Sequence, residues 1–476
     1  MSKLIQKYKN ISIVARSALW FVLCSFLQKA ISLLTTPIFT RVFTTDEYGT
    51  YNVYNSWMEI ITIIATFKLS EAVFNKTLTI DKEQKKVLSA YQSISTIIWI
   101  GVFAVYLIFH RIINSFVDLS LLFMIIMFFE IYFQNSIRLW TAYERYSYKY
   151  RLLILVTLLL SILNPVLGII LISKMQEKVL ARLLGIIIAT GVIGIVITVY
   201  NFQHFSISKI KRYFKYALGF NIVLIPHYLS QILLGQADRI MIDKYVNESA
   251  VALYSVAYTV GMLATMVTQS INNAYVPWMY RKFKEEKIEL VDRYNQKILF
   301  LAAFIILMVF FVSPEIILLL GGKKYMEATN VVFPVAASVY FIFVYTLFAN
   351  IELYYEKRSY VSIGTIGSAV LNLVLNYIFI KKYGYIAAAY TTLFCYICYG
   401  AFHLWASNHT LKKQNKQTKA KIGIAIILGG ILVIMSFVCQ LLISYPIIRY
   451  LTLLIFILLA IANRKRIISI INDVRE

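Results

Sequence analysis

The sequence predicts an all-α membrane protein that crosses the bilayer about fourteen times. Three observations carry this. The chain is 60% hydrophobic and only 15% charged, whereas soluble domains are roughly 45–50% apolar and ~25% charged. Most apolar runs last ~20 residues or more, the length a helix needs to cross ~30 Å of hydrocarbon. The basic residues lie mainly in short segments between those runs.

The spans fall near 12–36, 48–70, 88–109, 118–137, 152–173, 183–200 and 216–237, then 250–276, 298–320, 329–351, 359–380, 384–406, 422–443 and 446–462. Some neighbours are so close that they form tight helical hairpins. The last span is short and carries Arg449 near its start, so twelve spans is the other even count. Orientation follows from the loops. Alternate segments, beginning with Lys3, Lys7, Lys9 and Arg16, hold 34 lysines and arginines, and the intervening ones hold 11. That excess places both termini in the cytoplasm. No cleavable signal peptide is expected, because the first apolar run is too long and lacks a small-residue cleavage site.

The net charge of +24 could suggest nucleic acid, but its placement in short loops is that of membrane orientation, so no nucleic-acid partner is expected. Cys24, Cys395, Cys398 and Cys439 all lie in apolar runs, and the Cys395/Cys398 pair has no second ligand pair nearby. No metal site and no cofactor are expected. There is no G-x-x-x-x-G-K-[ST]; "GGKKY" at 321–325 lacks the spacing, and neither H-E-x-x-H nor G-x-S-x-G occurs. With no catalytic constellation, an enzyme is not expected.

A diffuse internal repeat divides the chain. "SALWF" at 17–21 resembles "YALGF" at 216–220, "YGTYNV" at 48–53 resembles "VALYSV" at 251–256, and "ILNPVL" at 162–167 resembles "VLNLVL" at 370–375. The matches keep one order, and six spans per copy give both copies the same orientation, a parallel repeat. Such repeats mark transporters with a site between the halves. The expected organisation is an N-lobe at 1–205, a C-lobe at 206–410, and a C-terminal helix pair with a cytoplasmic tail at 411–476.

Three longer stretches carry a family likeness: "TTPIFTRVFTTDEYGTYNV" at 35–53, "QADRIMIDKYVNESAVALYSVAY" at 236–258 and "LNLVLNYIFIKKYGYIAAAYTT" at 371–392. With these the chain resembles the polysaccharide flippases of bacterial membranes, in the multidrug/oligosaccharidyl-lipid/polysaccharide exporter superfamily. Asn372, Asn376 and Gly384 match the family pattern, while Ala387 stands where a second glycine is usual. The resemblance implies two six-helix lobes forming a V, with a central cavity lined mainly by spans 1, 2, 7 and 8. It implies transport of an undecaprenyl-diphosphate-linked oligosaccharide unit from the cytoplasmic to the outer leaflet of the bacterial cell membrane. The product would serve O-antigen, capsule or exopolysaccharide synthesis, with a polymerase and a chain-length regulator as possible partners. In some relatives the two extra spans form a groove for the lipid tail.

Ionisable residues inside spans are the candidate site, since burying a charge in hydrocarbon is costly. Lys29 lies about 10 Å from the outer end of span 1, and Glu59 roughly 16 Å from the same face on span 2. His227 has a similar depth on span 7. Together with Arg16 near the inner mouth, these are the expected substrate-binding residues. A fixed cation in a wet cavity can replace part of the water shell of a diphosphate, and lysine does so as a point charge. Each has a plainer alternative. Lys29 and Glu59 can form a stabilising ion pair, His227 can fill the kink at Pro226, and Arg16 can serve topology. Coupling or gating candidates are Glu130, either a buried hydrogen-bonded acid or a cation site, and Asp238 with Arg239, read as a surface pair ending span 7. Asn272 and Asn273, near Pro277, offer a hinge or a polar lining. The coupling ion, if any, would be H⁺ or Na⁺. The rival functions are a cation-coupled drug antiporter of the same superfamily and, more distantly, a membrane polysaccharide polymerase.

Overall fold

The computed structural model describes residues 12–414 and 422–462. The basic residues Lys3, Lys7 and Lys9, those from 416 to 421, and the tail from 464 to 475 lie outside the described residues. Helix dominates what is described, and no strand occurs among those residues. The chain forms two compact units, Met1–Ile232 and Leu233–Glu476.

The first unit contains α1 (Ile13–Val42), α2 (Thr45–Thr66), α3 (Ala72–Ile80), α4 (Gln84–Val117), α5 (Leu121–Tyr146), α6 (Tyr150–Ile172), α7 (Lys178–Phe202) and α8 (Ile207–Ile222). The turn between α1 and α2 is fixed by a capping box. Thr44 Oγ1 accepts from the Glu47 N–H at 3.1 Å, and the Glu47 carboxylate accepts from the Thr44 N–H at 2.7 Å. Asp118, at φ 57°, ends α4 in the left-handed region, and Ser120 caps α5.

The short helix α3 falls in what the sequence reads as a loop. It forms because Val73, Phe74, Thr77 and Leu78 make one buried face. That face shares a core with Tyr91 of α4, Leu139 and Tyr143 of α5, and Tyr213 of α8. This packing also explains why the first unit reaches Ile232, beyond the expected boundary at 205. Asn221 of α8 donates to the Phe67 carbonyl at 2.6 Å, and Lys209 and Tyr213 both bond Asp81, at 2.6 and 2.5 Å.

The second unit takes the end of α9 (Ile225–Tyr245), then α10 (Glu248–Gly261), α11 (Leu263–Lys284), α12 (Ile288–Gly321), a 3₁₀ turn (Lys323–Ala328), α13 (Thr329–Tyr354), α14 (Arg358–Tyr383), α15 (Tyr385–Lys413), α16 (Ile422–Leu442) and α17 (Pro446–Ala462). α13 is its most buried span, packed by α10, α11, α12, α15 and α16. α16 is therefore part of this unit: Tyr340 of α13 donates to its Ala425 carbonyl at 3.1 Å. Arg449, which weakens α17 on sequence, is buried and ion-paired with Glu315 of α12.

Eleven helical segments among the described residues are long and apolar enough to cross a membrane, and twelve if α8 and α9, bent by 52°, count as one span. The chain is thus an all-α, multi-pass membrane protein, and fourteen is an approximate count. The remaining two expected spans are α2, which carries Asp46, Glu47 and Glu59, and α17, with 17 residues.

Candidate functional site

The expected lysine centre is open. Lys29 is exposed on α1, and no carboxylate lies within 4.0 Å of it among the described residues. Glu59, half-buried on α2, makes no ion pair with it, so the hairpin-clamp alternative has no support in the geometry. His227 is half-buried in the first turn of α9, its ring 6.1 Å from that of Tyr228, and its Nδ1 is buried without a partner. Arg16 is half-buried in a cavity of about 770 Å³ that also contains Lys149 and Arg151.

Glu130 is 2% exposed. It accepts from the Tyr54 hydroxyl at 3.0 Å and from Gln134 Nε2 at 2.8 Å. Glu130 is thus a buried, hydrogen-bonded acid, and its bond from Tyr54 ties α2 to α5.

Asp238 and Arg239 are not a surface pair. α9 continues to Tyr245, so Asp238 sits about two turns from the helix end and is 0% exposed. Its carboxylate accepts from the Tyr254 hydroxyl of α10, from Asn376 Nδ2 of α14 at 2.6 Å, and from Thr392 Oγ1 of α15 at 2.8 Å. Asn372 donates to Thr392 at 3.2 Å and Thr391 bonds Asn376. The second and third resemblance stretches therefore meet in one polar cluster. Arg239 turns away from Asp238. Its Nε donates to Ser255 at 3.1 Å, its Nη1 to the Gly235 carbonyl at 2.8 Å, and its guanidinium lies 4.6 Å from the Tyr258 ring centroid. Asn272 is buried and accepts from Asn350 at 3.0 Å, while Asn273 is exposed and accepts from Gln269 at 3.1 Å. The break in span 8 is at Met262, between α10 and α11, one helical stretch before these asparagines.

Two features escape the sequence reading. Glu352 of α13 and His403 of α15, both 0% exposed, pair at 2.8 Å among Tyr345, Tyr399 and Phe402. Each is an ionisable residue inside an apolar span, the same signal that singled out Lys29. The second is a polar cavity of about 760 Å³ in the first unit, lined by Arg138 and Arg145. In sequence these arginines count only toward orientation, yet they are seven residues apart and share a helix face.

Comparison with known proteins gives the following. The family model described as "Polysaccharide biosynthesis protein" matches residues 14–283, and the MatE model matches residues 224–378. "Lsg locus putative protein 1" of Haemophilus influenzae is 28% identical over 179 residues, 36% of this chain and 42% of that protein. An "Uncharacterized membrane protein" of the same organism is 24% identical over 175 residues, 36% of this chain and 43% of that one. The matched region thus spans less than half the length of these curated relatives. A structure of the lipid II flippase MurJ in an inward closed conformation superposes with a TM-score of 0.70 at 16% identity, over 94% of this chain and 99% of that one. An inward-facing multidrug resistance MATE transporter gives 0.66 at 13% identity, over 82% and 96%. These two likenesses establish the fold.

Proposed function

Because the chain belongs to the polysaccharide biosynthesis protein family, whose model spans more than half of it, we propose that it is a flippase for a lipid-linked sugar unit. It moves an undecaprenyl-diphosphate-linked oligosaccharide from the cytoplasmic to the outer leaflet of a bacterial inner membrane by alternating access, with both termini in the cytoplasm. The unit feeds O-antigen, capsule or exopolysaccharide synthesis, where a polymerase and a chain-length regulator use it. It is a transporter, driven by an H⁺ or Na⁺ gradient or by consumption of the product. In this reading Asp238 and Glu130 serve coupling or gating.

The observation that carries this reading is coverage. The likeness to the lipid II flippase extends over 94% of the chain, against 82% for the MATE transporter. The exposed Lys29 ammonium supports it chemically, because a diphosphate leaving water needs a counter-charge. The MatE match over 224–378 favours a second reading, cation-coupled drug antiport. A site for cationic drugs would be expected to use acids without a fixed cation.

Removal of the protein from its host tests the choice. A lipid-linked intermediate should accumulate on the cytoplasmic leaflet, whereas altered drug susceptibility without that accumulation would favour the antiporter. Lys29→Ala should abolish export while the protein stays in the membrane, measured as surface polysaccharide against membrane-fraction protein. Full export by this variant would remove Lys29 from the site.

A further inference from the structure

The first unit holds two cavities of nearly equal volume and opposite character. The one containing Arg16, about 770 Å³, has mainly apolar walls, among them Leu152, Val192 and Val196. The other, about 760 Å³, is built by two amphipathic helices. α3 turns Phe74 and Leu78 into the core, which leaves Asn75 and Thr79, one turn apart, on the cavity side. α5 sends Leu139 and Tyr143 into the same core, which leaves Arg138, Thr141 and Arg145 on the opposing wall. Tyr146 and Tyr228 complete the lining.

Neither arginine forms an ion pair among the described residues, although the Glu130 carboxylate exerts an electrostatic pull on Arg138. Among the described residues no carboxylate lies within 4.0 Å of either. Arg138 reaches only Gln134, at 3.4 Å, and Arg145 rests 5.5 Å from the Phe21 ring centroid. Glu71, the acid in this cavity, is held by Lys68 at 3.1 Å. The cavity thus presents two forked cations, neutral hydroxyl and amide groups, and two aromatic rings.

We infer that this cavity is a binding vestibule for the sugar–diphosphate head group, with Arg138 and Arg145 binding the phosphates. The inference rests on the flippase reading and gives that reading a second anion site, distinct from Lys29. Guanidinium is the side chain best matched to phosphate, through paired N–H donors. Seven residues separate the two along α5, about 10 Å of helix rise, so they address different parts of an elongated anion. Thr79 and Thr141 offer the hydrogen bonds that sugar hydroxyls need, and the tyrosines offer flat amphipathic faces. The volume lies within the ~300–1,000 Å³ of small-molecule sites, room for a head group and not for a long prenyl tail. The cavity with Arg16 has comparable volume and charge but lacks this density of neutral polar groups.

The test uses the full-length protein in nanodiscs, with farnesyl-diphosphoryl-N-acetylglucosamine as probe. Asn75→Cys reports the cavity through its alkylation rate, read by peptide mass spectrometry. Binding to wild type is read separately from tryptophan fluorescence. The expected result is that saturating probe slows alkylation at least fivefold. Arg138→Gln or Arg145→Gln should abolish that protection, Arg138→Lys should retain part of it, and Arg111→Gln on α4, a charge control outside the cavity, should leave it intact. Protection that survives both Arg→Gln changes overturns the phosphate assignment. A probe that binds without protecting residue 75 overturns the vestibule and leaves the flippase reading standing. Equal protection by UDP-N-acetylglucosamine overturns recognition of a lipid-linked head group in favour of a soluble donor. A probe that does not bind at all overturns both readings. Protection in Asn75→Cys alone is measured with both arginines in place, and the partial protection expected of Arg138→Lys, which keeps the charge, separates lost phosphate binding from a folding defect.

Discussion

The internal repeat places two helix joints at corresponding positions, one in each unit, and they carry opposite charge. In the first unit the centre is Arg182 of α7. Its guanidinium lies 4.4 Å from the Phe39 ring centroid and 5.7 Å from that of Tyr51, and it donates to the Asn164 carbonyl at 2.7 Å. In the second unit the centre is Asp238, bonded by Tyr254, Asn376 and Thr392. The repeat aligns Tyr51 with Tyr254 and Asn164 with Asn372, so a tyrosine and an asparagine recur. The charge differs in sign and comes from a different helix, α7 in one joint and α9 in the other. The same alignment puts Gly168 opposite Asn376. Where the second unit crosses α14 over α15 through polar side chains, the first crosses α6 over α7 through Gly168 and Gly185. These are the two ways helices associate in lipid, side-chain hydrogen bonds or close backbone contact through small residues. The lesson is that the repeat preserves where helices meet and leaves open what holds them.

The comparison breaks most visibly at Asp238. Asp238→Ala leaves the Tyr254, Asn376 and Thr392 donors buried without their acceptor, so it should cost about 2–4 kcal/mol. Thermal unfolding in detergent reads this directly, and Asp238→Asn, which keeps an acceptor oxygen, should lose less. A melting temperature unchanged by Asp238→Ala would mean that the second unit does not depend on its polar joint. The next effect tests the other joint. A Cβ on Gly185 would stand 2.5 Å from the Gly168 backbone nitrogen, and backbone cannot rotate away. Gly185→Ala should therefore push α6 and α7 apart at about 1–3 kcal/mol. A Gly185→Ala variant as stable as wild type would show that the first unit's crossing tolerates separation and that the contrast is one of sequence only.

Much of this was legible before the structure. Spans are readable because ~20 apolar residues admit few other fates. α3 was not, because nine residues carry too short a pattern to stand out from a loop. Asp238 and its resemblance partners were readable as a motif, but their burial was not. The apolar run fades before Tyr245, and only the packing of α10, α14 and α15 shows the helix continuing. Arg138 and Arg145 were visible as charge and invisible as a wall, since counting for orientation discards which face a residue takes. The Glu352–His403 pair joins helices 51 residues apart, a proximity that no local pattern encodes.

The smallest effect sharpens the comparison by moving the acid–tyrosine joint out of the membrane. Asp81, in the turn between α3 and α4, accepts from Tyr213 as Asp238 accepts from Tyr254, and adds Lys209 as a counter-ion. Burial alone would raise its carboxyl. Bonds from Lys209, Tyr213 and the Glu83 N–H overcome that and hold it well below the ordinary 3.8. A carboxyl depressed in the folded state adds stability in full above the unfolded value, and that stability is lost as pH falls toward the folded one. The wild-type melting temperature should therefore drop as pH is lowered from about 5 toward 3, and Asp81→Asn should drop less over the same interval while starting lower. The joint ties α8 to the turn between α3 and α4, so hydrogen exchange in residues 207–222 should quicken in Asp81→Asn before any other helix is affected. Equal pH slopes in the two proteins would mean that α8 is held by its buried face, through Tyr213 and Ala217, and that an acid–tyrosine joint matters only where water is excluded.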